Sequence, residues 1–217
     1  MLFYWFGWAI FRPVAMLYHY RCSGYENVPR KGPLLVVSNH NFRGDPIGIG
    51  LALKRPVHFM AKKETFNPRN SLLEYLLVRL FGAFPVDREH PGPESIRLTM
   101  SFLDAGKCVG IFPEGTRFKD EVLHPFEHGA AYFAWKTGVP ILPIGITINK
   151  GEDYHFNIGV PFRVPQIKGR PRKVLPELTG MIRERITALL PSDWESIEEY
   201  PPEDTIQESD ESEIKRA

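Results

Sequence analysis

Short apolar runs separated by helix-length amphipathic stretches constrain this chain more than any other feature. Residues 34–38, 57–60, 108–112 and 141–148 are rich in Val, Ile, Leu and Phe. Each is short enough for a buried strand. Helices are expected between and beyond them, over 46–53, 71–81, 94–103, 126–137 and 178–190. Asp45 is placed to cap the first with Pro46 in its first turn, and Asn70 or Ser71 to cap the second. Gly82, Gly106 and Gly138 follow three of the helices as stops. Residues 84–86 and 155–160 read as further strands, and the basic, Pro-rich stretch 163–176 as loop. Pro143 marks an edge, a bulge or an end in the strand 141–148. This alternation predicts an α/β fold, a single domain with a partly parallel mixed sheet flanked by helices.

With 217 residues the chain is long enough to bury a full core without staples. Cys22 and Cys108 are its only cysteines, so neither a disulfide framework nor a zinc cluster is expected. The net charge of +1 hides a split. Residues 191–217 hold ten acidic and two basic side chains, and residues 1–190 carry a net charge of +9. A basic body suits an anionic membrane, a phosphorylated substrate or nucleic acid. No zinc finger, RNA-recognition block or helix-turn-helix pattern is present, so nucleic acid is not an expected partner. The acidic stretch 191–217 is poor in apolar residues and reads as a flexible tail.

Eight of the first twenty residues are aromatic, and Arg12 is the only formally charged one. The apolar run before Arg12 is 11 residues, too short to span a bilayer. Trp and Tyr favour the headgroup level. Residues 1–20 therefore read as an amphipathic membrane-interface helix, with an ordinary helix packed on the core as the alternative, 21–190 as the domain that carries the chemistry, and the protein as peripheral or monotopic on the cytoplasmic side of the cell membrane.

In open α/β sheets, chemistry gathers in loops beyond the carboxyl ends of the strands. Three polar loops follow strand candidates here. His40 in the first is a candidate general base, because neutral imidazole accepts a proton near pH 7. Asp45, five residues on, is placed either to orient that ring or merely to cap the next helix. Arg88 and Arg117, in the second and third loops, offer planar forks that match phosphate oxygens, or else form ordinary surface ion pairs. Glu114 suits a role in positioning the third loop, Gly115 a tight turn, and Thr116 a hydroxyl contact or cap.

Together these residues resemble the 1-acylglycerol-3-phosphate acyltransferase family of glycerolipid enzymes. Its first block is matched by Asn39, His40 and Asp45, and its second by the run from Gly82 through Val86 and Asp87 to Arg88. Phe112-Pro113-Glu114-Gly115-Thr116-Arg117 gives the third, and Val139-Pro140-Ile141-Leu142-Pro143-Ile144 the fourth. The similarity spans about residues 20–190 and includes Lys62-Lys63-Glu64. Two stretches depart from the family pattern, Asn41-Phe42-Arg43-Gly44 and Glu127-His128.

The resemblance implies transfer of a fatty acyl group from acyl-CoA or acyl-carrier protein to the sn-2 hydroxyl of 1-acylglycerol 3-phosphate, giving phosphatidic acid. It makes His40 and Asp45 the catalytic pair. Arg88, Glu114, Gly115, Thr116 and Arg117 become substrate-binding, with Asn39 and Pro143 in support. Neither a metal nor a cofactor is implied beyond the acyl donor. The implied partners are a membrane lipid surface, lysophosphatidic acid or a related acceptor, and the donor. Rival acceptors are glycerol 3-phosphate, another lysophospholipid or a glycolipid. A noncatalytic lipid-binding protein is the rival from a different class.

Overall fold

The computed structural model describes residues 20–86, 92–118, 120, 122–148 and 154–197, together with Trp5, Gly7, Ala9 and Pro13. Its centre is a seven-stranded sheet in the order β1-β8-β7-β2-β5-β3-β4. The strands are β1 (Arg21–Ser23), β2 (Leu34–Ser38), β3 (Val57–Lys62), β4 (Phe84–Val86), β5 (Cys108–Ile111), β7 (Ile141–Ile148) and β8 (Tyr154–Ile158). Every neighbouring pair is parallel except β7 with β8. A two-stranded parallel ribbon joins β6 (Val122–Leu123) to β9 (Glu195–Ser196). The expected α/β fold with a mixed sheet is the observed one.

All five residues of β2 and all four of β5 are buried, because helices cover both faces. Alternate residues serve opposite cores. Leu35, Val37, Val109 and Ile111 pack toward α3 (Pro93–Asp104), α4 (Gly129–Thr137) and α5 (Pro171–Thr187). Leu34, Val36 and Cys108 pack with Ile49 and Leu53 of α1 (Asp45–Leu53). Gly110 is required where Phe59 crosses from β3, since a Cβ there would lie 2.2 Å from the Phe59 ring. The remaining helix, α2 (Leu72–Leu80), starts at Ser71, whose hydroxyl accepts the Glu74 N–H at 3.2 Å. It is followed by Gly82 at φ 67°.

Several boundaries differ from the sequence reading. The N-cap of α1 is Gly44, and Asp45 is its first residue, with its carboxylate turned back to the preceding loop. Helix α4 begins at Gly129, three residues later than expected. Helix α5 begins at Pro171 and contains Pro176, where a loop was expected. An internal proline costs a helix about 3 kcal/mol. Burial of Val174, Leu178, Ile182 and Ile186 on one stripe, at about 1.5–3 kcal/mol per side chain, outweighs that cost.

Pro143 lies inside the sheet, paired with Val37 of β2. Of the edge, bulge or end expected there, the strand is no edge, and the extra residue of the irregular pairing lies on the opposing strand. Between the Ile144–Ile158 pair and the Ile141–Phe162 bridge, Leu142 and Pro143 oppose Gly159, Val160 and Pro161. Residues 191–197, placed in the flexible tail by composition, form a turn and β9, and the rest of that stretch lies outside the described residues. The interface helix expected over 1–20 also lies almost wholly outside them. Of its described residues, Gly7 is buried against Leu80 of α2. Among the described residues, no helix is long and apolar enough to cross a membrane.

Candidate active site

Strands β2 and β5 are adjacent and parallel, so the loops that follow them leave the same edge of the sheet. The β2 loop delivers His40, which is 6% exposed. Its Nδ1 lies 2.8 Å from Asp45 Oδ2. The same oxygen accepts the N–H groups of Asn41 at 2.9 Å and Phe42 at 2.8 Å. One carboxylate oxygen thus folds the loop and holds the ring. Asp45 Oδ1 is buried without a hydrogen-bond partner among the described residues. The imidazole stacks on Phe112 with centroids 3.9 Å apart and an interplanar angle of 15°.

The His40 backbone is held as firmly as its ring. Glu114 Oε2 accepts the His40 N–H at 2.7 Å, and the Phe118 N–H donates to the His40 carbonyl at 3.1 Å. Glu114 Oε1 accepts the His124 N–H at 3.2 Å. Burial, the largest effect, raises the Glu114 carboxyl to about pKa 7, and nearby Asp120 adds to the rise. The two N–H donors and the Arg183 charge oppose it. Glu114 was expected among the substrate-binding residues. Both its oxygens accept backbone N–H groups, from His40 and His124.

The folded pKa of Glu114 lies above the ordinary value of 4.5, so folding favours the protonated acid. Its contribution is present below about pH 4.5 and is lost as pH rises through about 7. The loss across that window is up to about 3 kcal/mol. Glu114→Gln has no such slope. Chemical denaturation at pH 5 and pH 8 should therefore show the variant gaining on the native protein as pH rises.

Asn39 extends the register of the sheet with its side chain. Its Oδ1 accepts the Ile146 N–H at 2.8 Å, and its Nδ2 donates to the Ile146 carbonyl at 2.9 Å. The end of β2 is thereby stitched to β7. Gly115 adopts φ 73°, a left-handed turn that disfavours any side chain. Thr116 and Arg117 are exposed on the same loop. Arg88 lies outside the described residues.

Two cavities meet at His40. The first, about 640 Å³, has apolar walls that include Met60, Val86, Ile96, Phe133 and Leu175, with Gly115 at its rim. The second, about 580 Å³, has Arg43, Lys62 and Arg117 in its wall against the carboxylates of Glu64 and Glu74, beside Leu73 and Leu77 of α2. His40 and Phe112 belong to both. Arg43 is also paired with Glu74 at 3.0 Å. His40, Asp45, Glu114 and Arg117 are thus brought to one place, with Gly115 beside them. Among the described residues, no group of three His, Cys, Asp or Glu side chains is placed to hold a metal.

Sequence reasoning assigned no role to Met60, Phe112 as the ring beneath His40, or Arg183. Phe112 opens the third block, but no local motif marks Met60 or Arg183.

Residues 19–147 match the family described as Acyltransferase. The 1-acyl-sn-glycerol-3-phosphate acyltransferase of Bacillus subtilis (strain 168) is 34% identical over 173 residues, which covers 76% of this chain and 84% of that protein. The chain belongs to the 1-acylglycerol-3-phosphate acyltransferase family. A relative of the same description from Streptococcus pneumoniae (strain ATCC BAA-255 / R6) is 31% identical, over 62% of this chain and 52% of its own length. The fold has a counterpart in the crystal structure of the 1-acyl-sn-glycerophosphate (LPA) acyltransferase, PlsC, from Thermotoga maritima. There the TM-score is 0.59 at 24% identity, covering 78% of this chain and 71% of that one. The ordered sequence blocks are therefore those of a family of acyl-transfer enzymes.

Proposed function

We propose that this enzyme transfers a fatty acyl group from acyl-CoA or acyl-carrier protein to the sn-2 hydroxyl of 1-acylglycerol 3-phosphate. The observation that carries the reading is the 2.8 Å contact of His40 with Asp45 at the wall shared by an apolar and a basic cavity. His40 Nε2 takes the proton of the acceptor hydroxyl as that oxygen attacks the thioester carbonyl carbon. Asp45 holds the Nδ1–H tautomer and stabilises the imidazolium. The tetrahedral intermediate collapses, the C–S bond breaks, and the imidazolium proton goes to the departing sulfur. Free thiol and phosphatidic acid leave.

The apolar cavity suits an acyl chain. The basic cavity suits the acceptor phosphate, with Arg117 as its anchor, Lys62 and Arg43 nearby, and Arg88 a further candidate. Helix α2 favours reaction at a bilayer. Leu72, Leu73 and Leu76 are 62%, 67% and 52% exposed, and Leu73 also lines the basic cavity. This face would let an acceptor pass from lipid to site without entering water, and residues 1–20 would add to the attachment.

The test is a donor–acceptor matrix with purified protein. Acyl-CoA and acyl-carrier protein are each paired with lysophosphatidate, glycerol 3-phosphate and a lysophospholipid lacking a terminal phosphate. The reading requires turnover with lysophosphatidate. Turnover confined to another acceptor overturns it. Arg117→Ala should raise KM for lysophosphatidate about tenfold or more, the loss expected when a charge-assisted contact is removed. The KM for the donor should stay unchanged in the same assays.

A further inference from the structure

The side chain of Arg183, on α5, reaches into the loop between β5 and α4. Its Nη1 donates to the His124 carbonyl at 2.5 Å, and its Nη2 to the Leu123 carbonyl at 2.8 Å. Nη2 also lies 2.8 Å from Ser196 Oγ and 2.5 Å from the Ile197 carbonyl. The guanidinium sits over the Phe126 ring, 5.1 Å from its centroid. One fork thus joins the site loop to the C-terminal strand β9.

The atoms it holds lead back to the catalytic histidine. The Leu123 carbonyl also accepts the Ile197 N–H at 3.0 Å. The N–H of that same peptide unit belongs to His124 and donates to Glu114. The opposite oxygen of Glu114 accepts the His40 N–H. A peptide that accepts two hydrogen bonds at its oxygen is polarised toward donating a stronger one at its nitrogen. A second arm runs in parallel. The His124 ring stacks on Phe118 with centroids 3.4 Å apart, and the Phe118 N–H holds the His40 carbonyl. Both backbone groups of His40 are therefore fixed by residues that meet at His124, and His124 is fixed by Arg183.

We infer that Arg183 and the docked strand β9 together position His40, acting through the Leu123–His124 peptide and Glu114. The inference rests on the reading of His40 as the base. Arg183 does not touch the reacting atoms. Its charge also favours the ionised form of Glu114 against burial and Asp120. The other titratable groups around that carboxylate are His124 on its own loop and His40, with its partner Asp45, from the β2 side.

The test uses the full chain with Arg183→Ala, Arg183→Lys, Ile197→Pro, the double variant and His40→Ala. Each is assayed on lysophosphatidate with acyl-CoA, below its own unfolding midpoint. Arg183→Ala is expected to lower kcat about tenfold, the size of effect that misplacing a base produces, with both KM values within about twofold. The acid limb of its kcat–pH profile should move up by about half a unit, because Glu114 loses a neighbouring positive charge. Arg183→Lys keeps the charge but not the fork. It should leave the limb in place while kcat still falls. Ile197→Pro removes the N–H that bonds Leu123 and should lower kcat about threefold, with no further loss when added to Arg183→Ala.

Folded variants with native kcat and only lower unfolding midpoints would overturn the inference. So would independent, multiplying losses in the double variant. Full activity in His40→Ala would instead remove the base reading itself, so the two failures are distinguishable.

Discussion

Replacing His40 with alanine should lower kcat for acyl transfer by about a thousandfold, the middle of the range for losing a positioned general base. KM for either substrate should change little. His40 is buried, but its ring lies where two cavities meet, so truncation opens space continuous with them. The Glu114 and Phe118 hydrogen bonds go to its backbone and survive the substitution. Thermal unfolding followed by circular dichroism should show a small shift beside the loss in rate. Single-turnover assays with acyl-CoA and lysophosphatidate would place that loss in the chemical step. Native turnover in the alanine variant would remove His40 from the mechanism.

Asp45→Asn should be the second largest effect, a loss of about a hundredfold or more in kcat. The amide keeps one oxygen for the N–H groups of Asn41 and Phe42, so the loop can retain its turn. The amide nitrogen can then occupy the position of Oδ1, which is buried without a hydrogen-bond partner among the described residues. What disappears is the negative charge beside Nδ1. Without it the imidazolium formed during attack is destabilised in a buried site. A pH profile separates the two functions of Asp45. Loss of charge should displace the acid limb toward lower pH, whereas loss of loop geometry alone would reduce the plateau without moving the limb. Asp45→Ala should add a stability loss, because two backbone donors lose their acceptor.

Much of the frame was legible because it depends on local pattern. The buried strands 34–38 and 108–111 are continuous apolar runs, and each ends where polar residues begin. Glycine stops and the Ser71 cap bounded helices for reasons confined to a few residues. The five-residue spacing of His40 and Asp45 sufficed to raise their pairing as one of two options, since a turn of that length keeps both ends within reach. Helix α5 was misread for the converse reason. Pro176 is a local signal against helix, whereas the gain from burying Val174 and Leu178 depends on a sheet formed by distant residues.

The chain alone thus determined the alternation of strands and helices, the residues available for acid–base and phosphate chemistry, and the family to which they point. Tertiary structure decided which of those residues share a site and what each one touches. It set Glu114 against backbone N–H groups from two loops, placed His40 at the junction of two cavities, and brought Arg183 and β9 behind the β5–α4 loop. The physical reason is range. Backbone preference and periodicity act over a few neighbours, whereas burial and hydrogen bonding between residues separated by 74 or 60 positions exist only after the sheet has closed the distance.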